Sequence, residues 1–308
     1  MPVTSPRPRR PRADTRPTDP HCVPSPEDAM PVRRVVLIVM DGLRPDAIPR
    51  FDLRACQRLA RRGASTSLAR TVEPSLTATC MASLLTGATP ERHGLQGGRF
   101  YLPHPRGETH PLPRVLAAHA MPSSAYIARV PTLMVGIAHR IGSHLGFSRT
   151  RFEGHGAADI SHAAIRELAQ PWRGLMVMHW PDADRAGHAA GWMSAPYARA
   201  AQTMDAALGR VMEVLDLDDR ETLLIALADH GGGGTVPNHH DSAHPLDRTI
   251  PILMAGGEIR PGEIPQGASL LDVPATILWA MGIPRPISYA GAPLTTAFRT
   301  PTPLGVAA

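Results

Sequence analysis

A chain of 308 residues, 43% hydrophobic and 19% charged, can bury a sizeable core, which excludes a fibrous or wholly disordered protein. Its formal charge of +5 suggests a polyanion partner, but all 32 basic residues are arginine, and residues 1–34 hold seven of them against four acids. Only +2 remains on residues 35–308, a nearly neutral body for which no nucleic-acid partner is expected.

Residues 1–31 include nine prolines and few large apolar side chains, so they read as a disordered tail, with Met30 as an alternative start. VVLIVMDG, from Val35, is a continuous β-branched run, the pattern of a strand buried on both faces. Helical periodicity follows in FDLRACQRLARRG, closed by Gly63 at a C′ position, and a second helix opens after PSLT and ends at Thr86-Gly87. SAYIA, GLMVMHW, ETLLIALADHG and TIPILMAGG are further strands. Helices fit between and after them in TLMVGIAHRIGSHLGF, ADISHAAIRELAQ, APYARAAQTMDAALGRVMEVLDL and LLDVPATILWAMG. Strands alternating with helices predict an α/β fold with a mainly parallel sheet covered on both faces, one domain over residues 32–300, and a short tail at 301–308.

Three cysteines, Cys22, Cys56 and Cys80, are an odd count without metal-ligand spacing, which argues against a disulfide framework and for a reducing compartment. The arginine-rich start runs into prolines, not an apolar segment, and Val35–Met40 is far too short to span a bilayer. A cytoplasmic location and no membrane partner are the expectation.

In a parallel sheet ligands bind beyond the carboxyl ends of the strands. Three apolar strands stop there at acids: VVLIVM at Asp41, GLMVMHW at Asp182 and Asp184, and LLIALA at Asp229, followed by His230. Asp and Gly also end strands for purely local reasons, but three such ends together carry more weight. DRAGH adds His188, and His239, His240 and His244 follow His230. Carboxylate oxygen and imidazole nitrogen are the donors expected for zinc or another first-row divalent ion. Thr77, at the start of its helix, would serve as an N-cap in any protein. Beside a divalent cation its hydroxyl is favoured as alkoxide and becomes a nucleophile, with the helix N-terminus favouring negative charge on the group attacked.

From about Val35 to about Leu294 the chain resembles the alkaline phosphatase superfamily, and within it the type I phosphodiesterase, or nucleotide pyrophosphatase, branch. The resemblance rests on six motifs in order: VVLIVMDGLRPD, EPSLTATCMASLLTGATPERHG, PDADRAGH, LIALADHGG, a histidine-bearing loop before RTIPILMAGG, and SLLDVPATILWAMGIPRP. It implies a three-layer α/β sandwich and a two-metal site. One metal would lie among Asp41, Thr77, Asp229 and His230, the other among Asp184, His188 and a late histidine. His240, eleven residues before Pro251, matches the family's spacing, with His239 and His244 as alternatives. The cofactor implied is a pair of divalent ions, zinc first and manganese second, about 3.5–4 Å apart. The chemistry implied is in-line attack by Thr77 on a small-molecule phosphoryl substrate, a phosphothreonine intermediate, and its hydrolysis from the vacated side.

Some features depart from the family. Cys80 stands where these phosphodiesterases often place a phosphate-contacting asparagine, and reads as a buried thiol. The arm between Gly94 and Gly174 is short for a substrate-selecting cap, so the site should be open. Phe100 and Tyr101 either stack on a substrate ring or pack locally, and Gly231–Gly234 either approach phosphate or form a flexible turn. The Cys-x-Pro-x-Arg segment of sulfatases and the large insertion of cofactor-independent phosphoglycerate mutases are both missing. No arginine that would clamp a phosphomonoester can be placed. Phosphomonoesters and phosphonates therefore stand as alternative substrates, and a non-catalytic metal- or phosphoryl-binding protein as a rival of another class. A nucleic-acid role for the arginine-rich tail is a third reading.

Overall fold

A computed structural model describes residues 32–97 and 107–299. The tail at 1–31, with Cys22 and Met30, the aromatic pair Phe100 and Tyr101, and the tail at 301–308 lie outside the described residues.

In chain order the elements are β1 (Arg34–Met40), α1 (Ala47–Arg50), α2 (Arg54–Arg62), β2 (Ala64–Arg70), α3 (Thr77–Thr86), α4 (Pro90–His93), α5 (Leu112–Ala118) and β3 (Ser123–Ile127). There follow α6 (Thr132–Leu145), β4 (Arg149–Phe152), α7 (Ala157–Leu168), β5 (Gly174–Trp180), α8 (Asp182–Ala190), α9 (Ala195–Val214) and β6 (Thr222–Leu227). The last are α10 (Pro245–Arg248), β7 (Thr249–Gly256), β8 (Gly262–Glu263) and α11 (Asp272–Ala280).

The strands form one sheet in the order β4-β3-β5-β1-β6-β7-β2-β8, with only β7 antiparallel to its neighbours. Helices α2, α7 and α9 pack together on one face, and α3, α5, α6 and α11 succeed one another on the other, giving the expected three-layer sandwich. β1 lies at the centre because Val35 to Val39 are fully buried, so both of its faces need a helical cover. Among the described residues no helix is long and apolar enough to cross a membrane.

Register sets up the site. Val39 of β1 pairs with His179 of β5 and with Leu227 of β6, so all three strands run out of the sheet at the same level. Two residues further on, Asp41 falls beside Asp229.

Three strands escape sequence patterning: β2 (ASTSLAR), β4 (RTRF) and the two-residue β8. β4 and β8 are the two edges and β2 lies next to one, so none has the doubly buried apolar pattern of a central strand. Gly63 needs correcting. Its φ of −139° is not the left-handed cap conformation; glycine is required because a Cβ would lie 1.9 Å from the Met254 carbonyl oxygen, where α2 leads into β2 alongside β7.

Candidate active site

The carboxyl ends of β5, β1 and β6 and the start of α3 bring the seven predicted residues into one cluster. Asp41 follows β1 and is 2% exposed; Asp229 and His230 follow β6 and are fully buried. Thr77 is the first residue of α3, and its Oγ1 lies 3.0 Å from His230 Nε2. That nitrogen is also 3.1 Å from Asp41 Oδ1 and 3.6 Å from Asp229 Oδ2.

Asp184 and His188 are one helical turn apart on α8, which presents both on one face. The sequence supplies the D-x-x-x-H spacing; the helix makes a ligand pair of it, with His188 Nε2 3.4 Å from Asp184 Oδ1. His240 closes the group, its Nε2 3.1 Å from His188 Nε2 and 3.6 Å from Asp184 Oδ1. Its ring stacks on that of His230 at a centroid distance of 3.8 Å.

The alternatives fall elsewhere. His244 is spent on the start of α10, where its Nδ1 accepts from the Leu246 N–H. His239 is exposed, with its ring centre 6.1 Å from that of His188. Asp182 turns away to accept the Ala157 N–H at the start of α7, so of the two acids after β5 only Asp184 faces the cluster.

The donor chemistry fits a divalent cation. Asp41 Oδ1, Asp184 Oδ1 and Asp229 Oδ2 are buried yet have no hydrogen-bond partner, which is costly for carboxylate oxygens unless a cation takes them. His188, His230 and His240 each turn Nδ1 onto a backbone carbonyl, of Asn238, Gly231 and Ser75 respectively. A donor at Nδ1 leaves Nε2 facing inward, the arrangement that orients imidazole ligands. Two of the ligand groupings that come together are Asp184-His188-His240 and Asp41-Asp184-His230.

A third grouping, Asp41-His179-Asp229, contains a histidine that sequence reasoning missed. His179 Nε2 is 3.1 Å from Asp41 Oδ2. Its signal was present: a polar residue interrupting GLMVMHW, paired in the sheet with Val39, two residues before Asp41.

The buried charges of the cluster shift one another's titration. Burial, followed by the Asp41 charge, raises Asp229 to about 7 and Asp184 to about 6. Burial opposes the charge on His230, but Asp229 and Asp41 outweigh it and lift the imidazole to about 10. His240 is pulled down to about 4, by burial first and His230 second. Without a cation, the cluster holds protons where metal would sit.

Backbone fit is close around the first aspartate. Gly42 has φ +70°, and a Cβ there would lie 2.9 Å from Asp184 Cα. Its carbonyl accepts from both Trp192 Nε1 and the Tyr197 hydroxyl. Gly231 to Gly234 do not offer N–H groups to phosphate: each donates within the protein, to Asp247 O, Leu246 O, His239 O and Asp247 Oδ1 in turn. Cys80 is fully buried, 3.2 Å from the Thr71 hydroxyl, and burial pushes its thiol pKa well up, as expected of a buried thiol. A separate cavity of about 840 Å³ lies under α1 and the β2–β8 edge, and none of the seven residues lines it.

The fold thus brings buried carboxylates and imidazoles together beyond a parallel sheet, a donor set that fits divalent cations. Residues 35–112 match the family model of type I phosphodiesterase / nucleotide pyrophosphatase, and residues 138–285 that of the metalloenzyme superfamily. Together the two matches support the alkaline phosphatase superfamily, with features like those of its nucleotide pyrophosphatase branch. The chain is 29% identical over 165 residues to 2,3-bisphosphoglycerate-independent phosphoglycerate mutase of Synechococcus sp. (strain JA-3-3Ab), covering 48% of this chain and 30% of that one. It is 28% identical over 123 residues to the catalytic subunit of human GPI ethanolamine phosphate transferase 2, covering 38% of this chain and 12% of that one. The chain thus spans under a third of the length of these relatives.

Among solved structures, a 2-O GAG sulfatase superposes with a TM-score of 0.68 at 15% identity, over 87% of this chain and 74% of the other. Murine ectonucleotide pyrophosphatase / phosphodiesterase 5, an inactive variant in complex with AMP, gives 0.64 at 13% identity, over 82% of this chain and 96% of the other. At these identities the likeness is one of fold.

Proposed function

We propose that this protein is a two-metal hydrolase that cleaves a phosphodiester or related phosphoryl ester through a phosphothreonine on Thr77. The observation that carries the reading is the position of Thr77 Oγ1, 3.0 Å from an inward-facing imidazole and at the N-terminus of a ten-residue helix with no side-chain cap. The first N–H groups of α3 are left without a capping side chain beside the nucleophile, where they can take a phosphoryl oxygen.

Asp41, Thr77, Asp229 and His230 would hold one ion, and Asp184, His188 and His240 the other; the mixed nitrogen and oxygen donors favour zinc, with manganese second. When bound, such ions lower the pKa of a coordinated hydroxyl and neutralise charge on the phosphoryl oxygens. Thr77 gives up its proton to solvent, its Oγ forms the new P–O bond, and the bond to the leaving oxygen breaks in line with it, that oxygen taking a proton from solvent as the alcohol departs. Water then attacks the phosphothreonine, restoring the hydroxyl and releasing the phosphoryl product.

The surrounding cations favour a singly charged diester. Arg44 is held by Asp46 and the Gly232 carbonyl, Arg185 by the His155 carbonyl, and Arg248 by Glu73 and the Ser242 carbonyl. Among the described residues none of these guanidinium groups is directed at the cluster to take the extra charge of a monoester.

The test is a side-by-side rate for a chromogenic phosphodiester and its matching monoester, with metal-free protein reloaded with zinc or manganese. The diester should be cleaved faster. A faster monoester makes the protein a phosphatase; cleavage of neither, with metal still bound, moves it to a phosphonate hydrolase or a non-catalytic binding protein. His240→Ala should lower bound metal by about half in elemental analysis, because one of two sites loses a ligand, whereas His239→Ala should leave it unchanged. The reverse pattern would move the last ligand to His239.

A further inference from the structure

Helix α6 is apolar on the side that faces solvent. Leu133, Ile137 and Ile141 recur at every fourth residue, and with Met134 they are 89%, 49%, 56% and 44% exposed. The helix packs through the opposite side, where Gly142 is buried against Thr150 of β4, about half a turn round from Leu133. Such a helix buries only part of its apolar surface within its own fold, and exposed stripes of this kind mark a binding face.

Charge says what kind of partner the stripe fits. α6 carries Arg140, His139 and His144 and no acid. Arg129 stands three residues before it, and Arg114 donates to the His144 carbonyl at its far end. Residues 107–152 hold five arginines against the single acid Glu108, so the sector around α6 is more basic than the rest of the folded chain. A second copy of the chain fits poorly. Four aliphatic side chains are far short of the roughly 20–30 residues a side that a stable interface takes.

We propose that α6 is a docking surface for an anionic lipid bilayer, with Leu133, Met134, Ile137 and Ile141 entering the headgroup boundary and Arg140 and Arg129 meeting lipid phosphates. An amphipathic helix lying in the interface needs no spanning length, so the lack of a spanning helix among the described residues does not bear on it. A juxtaposed basic patch adds attraction that falls with salt.

The test is co-sedimentation of the full chain with phosphatidylglycerol vesicles and with phosphatidylcholine vesicles. Binding should be confined to the anionic vesicles, weaken with added salt, and fall at least about tenfold in partition coefficient in Leu133→Glu/Ile137→Glu, whose melting temperature should match the parent because both side chains face solvent. Should that pair fail to fold, Arg140→Gln tests the same contact by a smaller loss and a shallower salt dependence. No binding to either vesicle overturns the proposal. So does anionic binding that the double variant retains, which would place it in the arginine-rich residues 1–31, or a concentration-dependent dimer that the double variant abolishes.

Discussion

Thr77→Ala loses turnover by at least about a thousandfold, while its metal content by elemental analysis stays at the parent level. Both halves follow from the geometry. Removing Oγ1 removes the atom that attacks phosphorus, whereas six other side chains, from Asp41, Asp184, His188, Asp229, His230 and His240, still converge on the cluster. The helix is not expected to suffer, because the Thr77 hydroxyl caps no backbone N–H and its hydrogen bond goes to His230. Thr77→Ser, which restores a hydroxyl, should recover part of the rate. Unchanged activity in the alanine variant would remove the nucleophile assignment, and loss of metal along with activity would make Thr77 chiefly a ligand.

Chelation is the second large effect. Stripping the ions should abolish activity and lower the melting temperature by about 10 °C, since each site loaded at a hundredfold over its Kd contributes about 2.7 kcal/mol to a domain of this size. The effect should depend on pH in a definite direction. Asp229 and Asp184 hold protons up to about 7 and about 6 in the metal-free protein, and His230 holds one to about 10. Metal must displace those protons, so its apparent affinity rises with pH and is lost as pH falls through 7 and then 6. The gap in melting temperature between loaded and chelated protein should therefore be wide under mildly alkaline conditions and narrow under mildly acidic ones. A gap that widens towards acid would mean the ions are not held by this cluster.

The sequence carried the centre of the fold better than its edges. β1, β5 and β6 are read from their apolar runs because the chain there is buried on both sides; the register then sets Asp41 beside Asp229, while the acid after β5, Asp184, is delivered by α8. β4 and β8, with half or more of their residues exposed and only one sheet partner each, leave no such trace. Site residues sort the same way. Asp41, Asp229 and His230 follow from their strand ends, but His179 lies inside a strand and becomes part of the cluster only through its pairing beside β1. The choice between Asp182 and Asp184 depends on which carboxylate the N-terminus of α7 draws away. No linear pattern contains that competition.

The two hydrogen bonds between Ser75 and His240 also constrain how this protein can diverge. The Ser75 hydroxyl donates to the His240 carbonyl while His240 Nδ1 reaches the Ser75 carbonyl, so the strap before the nucleophile and the loop bearing the last histidine are tied at one point. The loop is held again at Gly233, whose N–H donates to the His239 carbonyl. Between those ties Thr235 to Asn238 are partly or wholly exposed. Side-chain changes at Thr235 and Val236 can therefore alter this surface without touching the reacting atoms, whereas Pro237 and Asn238, whose carbonyls hold the Trp192 N–H and the His188 ring, are bound into the site.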